Sequence, residues 1–356
     1  MAGASTKKRL YPEVVWFRGV AALAVVIIHS LSRTQRLHSE IDLSWFLMAL
    51  MFATPVFVFI SEYLFSQSYP RGLPQGFYRR RIQYLLLPYV TMGVAYAIYD
   101  TWGAPVSEVV IEALGNIFLG KFVGYFVLVI FQFYLLHHVF HRFLSQAKPI
   151  PVLVGAFGIN AAYLAFFNLF PQPPGVLGAY IWHRGYWLLA VGWIFYFALG
   201  YYAGRNRDRL LDVIARHRVA VIALCGGALA LTYLGLASGV FRFVSSKRPE
   251  LLIYAPAVIG VLMLLSTRYV YPPKFLLFIS NYSFSIYLLH WFVINNMKPV
   301  HSHPVVATLG FIISGLVFAI GVAKLVNLLP WGRYLVGRPY GQTQGDYHPP
   351  AGAHIR

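Results

Sequence analysis

Two side chains in the first apolar run of the sequence can do chemistry together. Arg18 and His29 stand 11 residues apart. At about 100° per residue that interval is three turns plus about 20°, so both project from one helix face. The rise separates them by about 16 Å along the axis. A neutral imidazole, with an unperturbed pKa of about 6.5, is suited to take a proton from a hydroxyl. It can also act as a nucleophile and carry a transferred group. A guanidinium suits phosphate. The pair can therefore hold a long phosphate-bearing ligand at one end and react with its far end at the other. The same residues also fit a plainer role, with Arg18 snorkelling to lipid headgroups and His29 at the interface.

Further polar residues lie inside or beside apolar runs. A base histidine is commonly oriented by an acid. Asp100, at the end of the third run and level with His29, is the candidate, although it also reads as a solvated helix end. Arg79, Arg80 and Arg81 stand together just before a run. They suit phosphate recognition, and equally anionic lipid, at about 1 kcal/mol per charge. Ser283, Tyr287 and His290, at intervals of four and three, share a helix face. They line a ligand path or bond to neighbouring helices. Tyr125 and Gln132 pose the same choice. Glu62 is expected to pair with an arginine. His137 and His141 are spaced i, i+4 without an acid or thiol beside them, so headgroup or dipole contacts are expected and a metal site is not. No phosphate-loop, dinucleotide or zincin motif occurs.

The frame that must position these residues follows from composition. There are 29 Lys+Arg against 11 Asp+Glu, a net charge of +18. Yet 11% of residues are charged and 58% hydrophobic, with a mean hydropathy of +0.62, against roughly 25% and 45–50% in soluble domains. This excludes a disordered chain, a disulfide scaffold (Cys225 is alone) and a conventional soluble enzyme. A nucleic-acid partner is not expected, because such basicity would come with far more total charge. The chain reads as an all-α membrane protein. Apolar runs of about 17–25 residues, enough to cross a core of about 30 Å, predict about ten transmembrane helices. They cover Tyr11–Leu31, Leu43–Phe65, Ile82–Trp102, Phe122–His141, Ile150–Pro171, Gly185–Gly204, Val219–Ser238, Leu251–Ser266, Phe275–Met297 and Val305–Leu328. The runs do not alternate, which excludes a β-barrel.

With the N-terminus in the cytoplasm, 19 of the 29 cations fall on inside segments and 8 on outside loops. That bias predicts both termini cytoplasmic. The loops holding Arg33–Arg36 and Arg242–Arg248 run against it. The expected division is a cytoplasmic tail over residues 1–10, a transmembrane domain over 11–330, and a mobile cytoplasmic tail over 331–356. Gly103–Lys121 has an amphipathic pattern that predicts a short surface helix. Pro171–Arg184 predicts a structured outer loop. No cleavable signal peptide is predicted.

The segment Tyr11-Pro-Glu-Val-Val-Trp-Phe-Arg18 through His29 resembles the opening Arg-x10-His motif of the acyltransferase 3 family of membrane acyltransferases. Thr54-Pro-Val-Phe-Val-Phe-Ile-Ser61 is similar to the family's second-span segment, with Glu62 where the family usually has Gly. Phe77-Tyr-Arg79-Arg80-Arg81-Ile-Gln-Tyr84 resembles its basic stretch before span three, without the frequent Arg-x-x-Arg spacing. Ser280-Asn-Tyr-Ser283-Phe-Ser-Ile-Tyr287-Leu-Leu-His290 resembles its late Ser…Tyr-Leu-x-His segment. Leu85–Gly93, Gly124–Phe133 and Gly192–Gly200 look like the branch of intercellular-adhesin membrane proteins that serve poly-N-acetylglucosamine production.

The resemblance implies a multi-pass protein of the bacterial cell membrane that holds no permanent cofactor. It implies an O-acyltransferase that takes an acyl group, succinyl or acetyl, from cytoplasmic acyl-CoA to hydroxyls of an extracellular polysaccharide. His29 would be the catalytic base or acyl carrier, assisted by Asp100. Arg18, Arg79, Arg80, Arg81 and Ser283 would bind the CoA donor, and Tyr125, Gln132, Tyr287 and His290 the substrate. Membrane lipids and a polysaccharide synthase are the further expected partners. Polysaccharide export is the alternative function.

Overall fold

The computed structural model describes residues 11–69, 72–241 and 243–341. The tail expected over residues 1–10, Arg71, Arg242 and the tail beyond residue 341 lie outside the described residues.

Long apolar runs have one economical solution in a bilayer, because only a helix satisfies every backbone polar group within the segment. The described residues accordingly contain helices and turns and no strand. In chain order they are α1 (Pro12–Leu37), α2 (Ser44–Ser68), α3 (Phe77–Asp100), α4 (Val106–Leu119), α5 (Phe126–Gln146), α6 (Pro149–Leu169) and α7 (Val176–Leu188). There follow α8 (Ala190–Arg205), α9 (Arg207–Arg216), α10 (Arg218–Ala237), α11 (Leu251–Arg268), α12 (Lys274–Asn296) and α13 (Pro304–Val326). Proline opens α1, α6 and α13, where its fixed φ suits the first turn and its missing N–H costs nothing. Nine segments among the described residues are long and apolar enough to cross a membrane, and the pair α7–α8 makes a tenth, bent by 51°. Each predicted span is present.

The first helix is central. α1 packs against α2, α11, α12 and α13, and its small residues Gly19, Ala21, Ala22 and Ala24 are buried. A Cβ at Gly19 would collide with Leu276 of α12, so the glycine sets how closely the two helices approach. At the start of α1, buried Glu13 is gripped by Arg207 of α9 at 2.5 and 2.9 Å and accepts the Tyr63 hydroxyl at 2.7 Å. Both described ends of the chain lie on the same face of the bundle, since Tyr340 covers Arg18 of α1. We call this the terminal face and the other the distal face.

The stretch Gly103–Lys121 contains the expected helix, α4, exposed along one side and packed along α3 on the other, and two further expectations are corrected. Asn116 donates to the Gly93 carbonyl at 3.0 Å, and Tyr89 donates to the Asn116 carbonyl at 2.8 Å. Its apolar stripe Val106, Val110 and Leu114 faces outward, while Gly115 and Asn116 are buried. In lipid the stripe needs no core, and the polar amide does need a partner. The Pro171–Arg184 stretch is helical from Val176 onward. The C-terminal tail is held down as far as it is described. Ser285 donates to the Val336 carbonyl at 2.9 Å, Asn327 to that of Gly337 at 3.1 Å, and the Tyr340 amide to that of Asn281 at 3.0 Å.

Candidate active site

His29 sits toward the distal end of α1, where α1 meets α12. Its ring centroid is 5.1 Å from that of His290 and 4.8 Å from that of Trp291. His290 is fully buried, and its Nδ1 lies 2.7 Å from the Ile286 carbonyl. A proton on Nδ1 is what satisfies that carbonyl, so the neutral ring presents Nε2 as an acceptor. That nitrogen is buried and has no partner among the described residues. One turn before it, Tyr287 accepts the Phe126 amide at 3.0 Å through its hydroxyl oxygen, which leaves its own proton to donate. Ser283 is buried one turn further back. The face predicted from the spacing of Ser283, Tyr287 and His290 therefore lies beside His29 at its His290 end.

The wall opposite is built by the bent pair and the loop between α10 and α11. Within α7 the backbone widens into a π-turn over Ile181–Gly185, a local distortion often found at functional sites. Arg184 lies in that turn. Its guanidinium donates to the Gly120 carbonyl and covers the Trp187 ring at 5.1 Å. Lys247, from the loop between α10 and α11, places its ammonium 4.2 Å from the same indole and 5.8 Å from the Tyr125 ring. Tyr125 and Trp187 themselves meet at 4.1 Å. The groups acting electrostatically on His29 are His290, Arg36 and Lys247, with no carboxylate among them.

That company corrects the role expected of Asp100. It is exposed at the end of α3, and its electrostatic neighbours are Tyr96 and Glu112. Tyr96 stacks on Phe292 at 3.7 Å and donates to the Leu288 carbonyl, which docks α3 on α12 and directs its end toward α4. Gln132 is corrected too. Its amide nitrogen donates to the Leu188 carbonyl at 2.7 Å, and its oxygen accepts the Ala190 amide at 3.0 Å. It binds the backbone on both sides of the α7–α8 break, so its polar groups hold the bend. Glu62 pairs with a histidine and not with an arginine. Its Oε1 lies 2.6 Å from His137 Nδ1, and both side chains are 1% exposed. α2 turns Glu62 toward α5, where a buried carboxyl needs a partner at that depth. His137 in turn stacks on His141 at 5.9 Å.

At the terminal face, Arg18 lies under the Tyr340 ring at 3.8 Å. Of the arginine run, Arg79 and Arg80 are exposed, while Arg81 turns inward over Phe77 at 5.0 Å and Tyr134 at 5.3 Å. Tyr340 also acts electrostatically on Tyr134, so Arg18 and Arg81 flank one aromatic mouth. Arg184, Lys247 and Arg36 did not stand out from spacing. For Arg36 and Lys247 the signal was there in the two loops whose cations run against the inside bias.

The family described as an acyltransferase domain matches residues 11–327. The chain belongs to this acyltransferase family. As a multi-pass member, it is 36% identical over 354 residues to the Bacillus subtilis protein named "Putative membrane-bound acyltransferase YfiQ", covering 93% of this chain and 96% of that one. It is 28% identical over 353 residues to a Staphylococcus aureus protein named "Probable poly-beta-1,6-N-acetyl-D-glucosamine export protein", covering 94% and 98%. A Staphylococcus epidermidis protein of the same name is 25% identical over 358 residues, covering 95% and 98%. No solved structure matches the chain.

Proposed function

We propose that this acyltransferase moves an acyl group, succinyl or acetyl, from cytoplasmic acyl-CoA to hydroxyls of an extracellular polysaccharide such as poly-N-acetylglucosamine, in the bacterial cell membrane. The observation that carries the reading is the two-ended arrangement along α1. Arg18 and Arg81 lie at the terminal face, and His29 meets His290 and Trp291 and feels the Lys247 charge toward the distal face. In this reading the terminal face is cytoplasmic and the arginines hold the CoA phosphates, with the pantetheine arm running toward His29. His29 takes the proton of the acceptor hydroxyl, whose oxygen forms the new C–O bond at the thioester carbonyl carbon. The C–S bond breaks, and the CoA sulfur leaves with the proton from His29. A covalent acyl-His29 formed first would reach the same ester in two displacements.

Replacing His29→Ala tests the reading. Removing a general base costs about 10²–10⁴-fold in rate. The polymer should still be made and exported, and mass spectrometry should find it without its ester. Normal O-acylation in that variant would overturn the assignment.

Export is the second reading, supported by the printed name of the staphylococcal relatives. It predicts that deletion retains the polymer inside the cell, whereas loss of an acyltransferase changes decoration alone.

A further inference from the structure

The distal wall holds two cations, Arg184 and Lys247, that have no carboxylate partner among the described residues. No carboxylate is among the groups acting on Arg184 or on Lys247. The acid nearest in sequence, Glu250, is taken by Arg248, whose Nε donates to it at 2.6 Å. Lys247 is thereby left uncompensated, and its backbone is fixed in place. Asn168 of α6 donates to the Lys247 carbonyl at 2.9 Å, and the Lys247 amide donates to Ser245 at 3.2 Å. Both cations lie against the Trp187 ring, and the Lys247 charge acts on His29. Burial, and then the Arg184 charge, push the Lys247 ammonium down to about 8, so most of it still carries its proton at neutral pH.

We propose that Arg184 and Lys247 form a carboxylate-binding subsite beside His29, an inference that rests on the acyl-transfer reading. A guanidinium fork and a single ammonium match a planar monoanion. The carboxylate belongs either to the far end of a dicarboxylic acyl group on its way through His29 or to an acidic sugar of the acceptor.

The first experiment needs no turnover. With the full-length protein in lipid nanodiscs, modification of Lys247 by a neutral acetylating ester is followed residue by residue by mass spectrometry. Succinate should slow it several-fold and succinamide should not. Arg184→Gln should abolish the protection, and Arg184→Lys should keep part of it. Equal labelling with and without succinate overturns the proposal. So does protection by phosphatidylglycerol vesicles without protection by succinate, which makes the pair a headgroup site.

The second experiment separates the two sources. Succinyl-CoA is compared with butyryl-CoA on a neutral poly-N-acetylglucosamine oligomer, and acetyl-CoA is used with neutral and glucuronate-containing oligosaccharides. Arg184→Gln should cut kcat/KM about tenfold or more for the carboxylate-bearing member of one arm while sparing its neutral counterpart. Discrimination unchanged in both arms overturns the proposal. Absence of transfer from every donor instead overturns the acyl-transfer reading, and leaves the succinate protection to be judged on its own.

Discussion

Arg36, Lys247 and His290 surround His29, a setting suited to negative charge gathering on a carbonyl oxygen and unlike an acid-oriented triad. Asp100→Asn is therefore expected to leave transfer within about twofold of the parent, whereas loss of an orienting carboxylate costs about 10⁴ in a triad. Initial rates of acyl transfer check it. The buried Glu62–His137 contact has a different role. Glu62→Ala strands the His137 nitrogen, and one orphaned buried polar group costs about 1–3 kcal/mol. A lowered thermal midpoint in detergent should follow, with Glu62→Gln losing less because its amide still offers an oxygen. Spacing alone placed Ser283, Tyr287 and His290 on one face, because a helix fixes which side chains align. It could not say which helix that face would meet. The partner of Glu62 is a fact of packing between segments 75 residues apart in sequence, and the isolation of Asp100 is likewise set by how helices meet, beyond what one run of residues reports.

The elements were read from the length of apolar runs, and that signal located the spans to within a few residues except the sixth, which begins at Val176 and not at Gly185. It was weakest where tertiary contacts hold a helix. In α7, Trp182 donates to the Phe170 carbonyl and Tyr180 to that of Leu119, so a Pro/Gly-rich stretch with no usable period becomes helical. The stripe on α4 was visible, but periodicity carries no sign. The same pattern points inward in water and outward in lipid. The α7–α8 break is expected to depend on Gln132. Gln132→Ala loses both bridging hydrogen bonds, at about 0.5–1.5 kcal/mol each. Because α7 carries Arg184, transfer should fall along with stability. Gln132→Glu keeps the acceptor for the Ala190 amide and should lie between the two in unfolding and rate measurements.

For the whole molecule, the positive-inside count proposes an orientation that the fold turns into a labelling test. The terminal face should be cytoplasmic. In a Cys225→Ala background, Ser302→Cys between α12 and α13 should react with a membrane-impermeant maleimide on intact cells. Ser145→Cys, near the end of α5, should react only after permeabilisation, and the opposite pattern would invert the protein. The central place of α1 has a further consequence for how the chain is made. α1 packs against three helices that emerge much later, and Arg18 meets Tyr340 only after α13 has been made. At about 5–20 residues per second, α1 waits on the order of half a minute for its neighbours. During that wait its arginine lacks its aromatic cover, and Gly19 and the small alanines lack the surface they were shaped to meet. A ribosome that stops before α12 leaves no partial enzyme, because both ends of the reaction path close against helices not yet translated. Nonsense variants late in the gene should then behave as quality-control substrates, cleared from the membrane with their earlier helices inserted and unmatched.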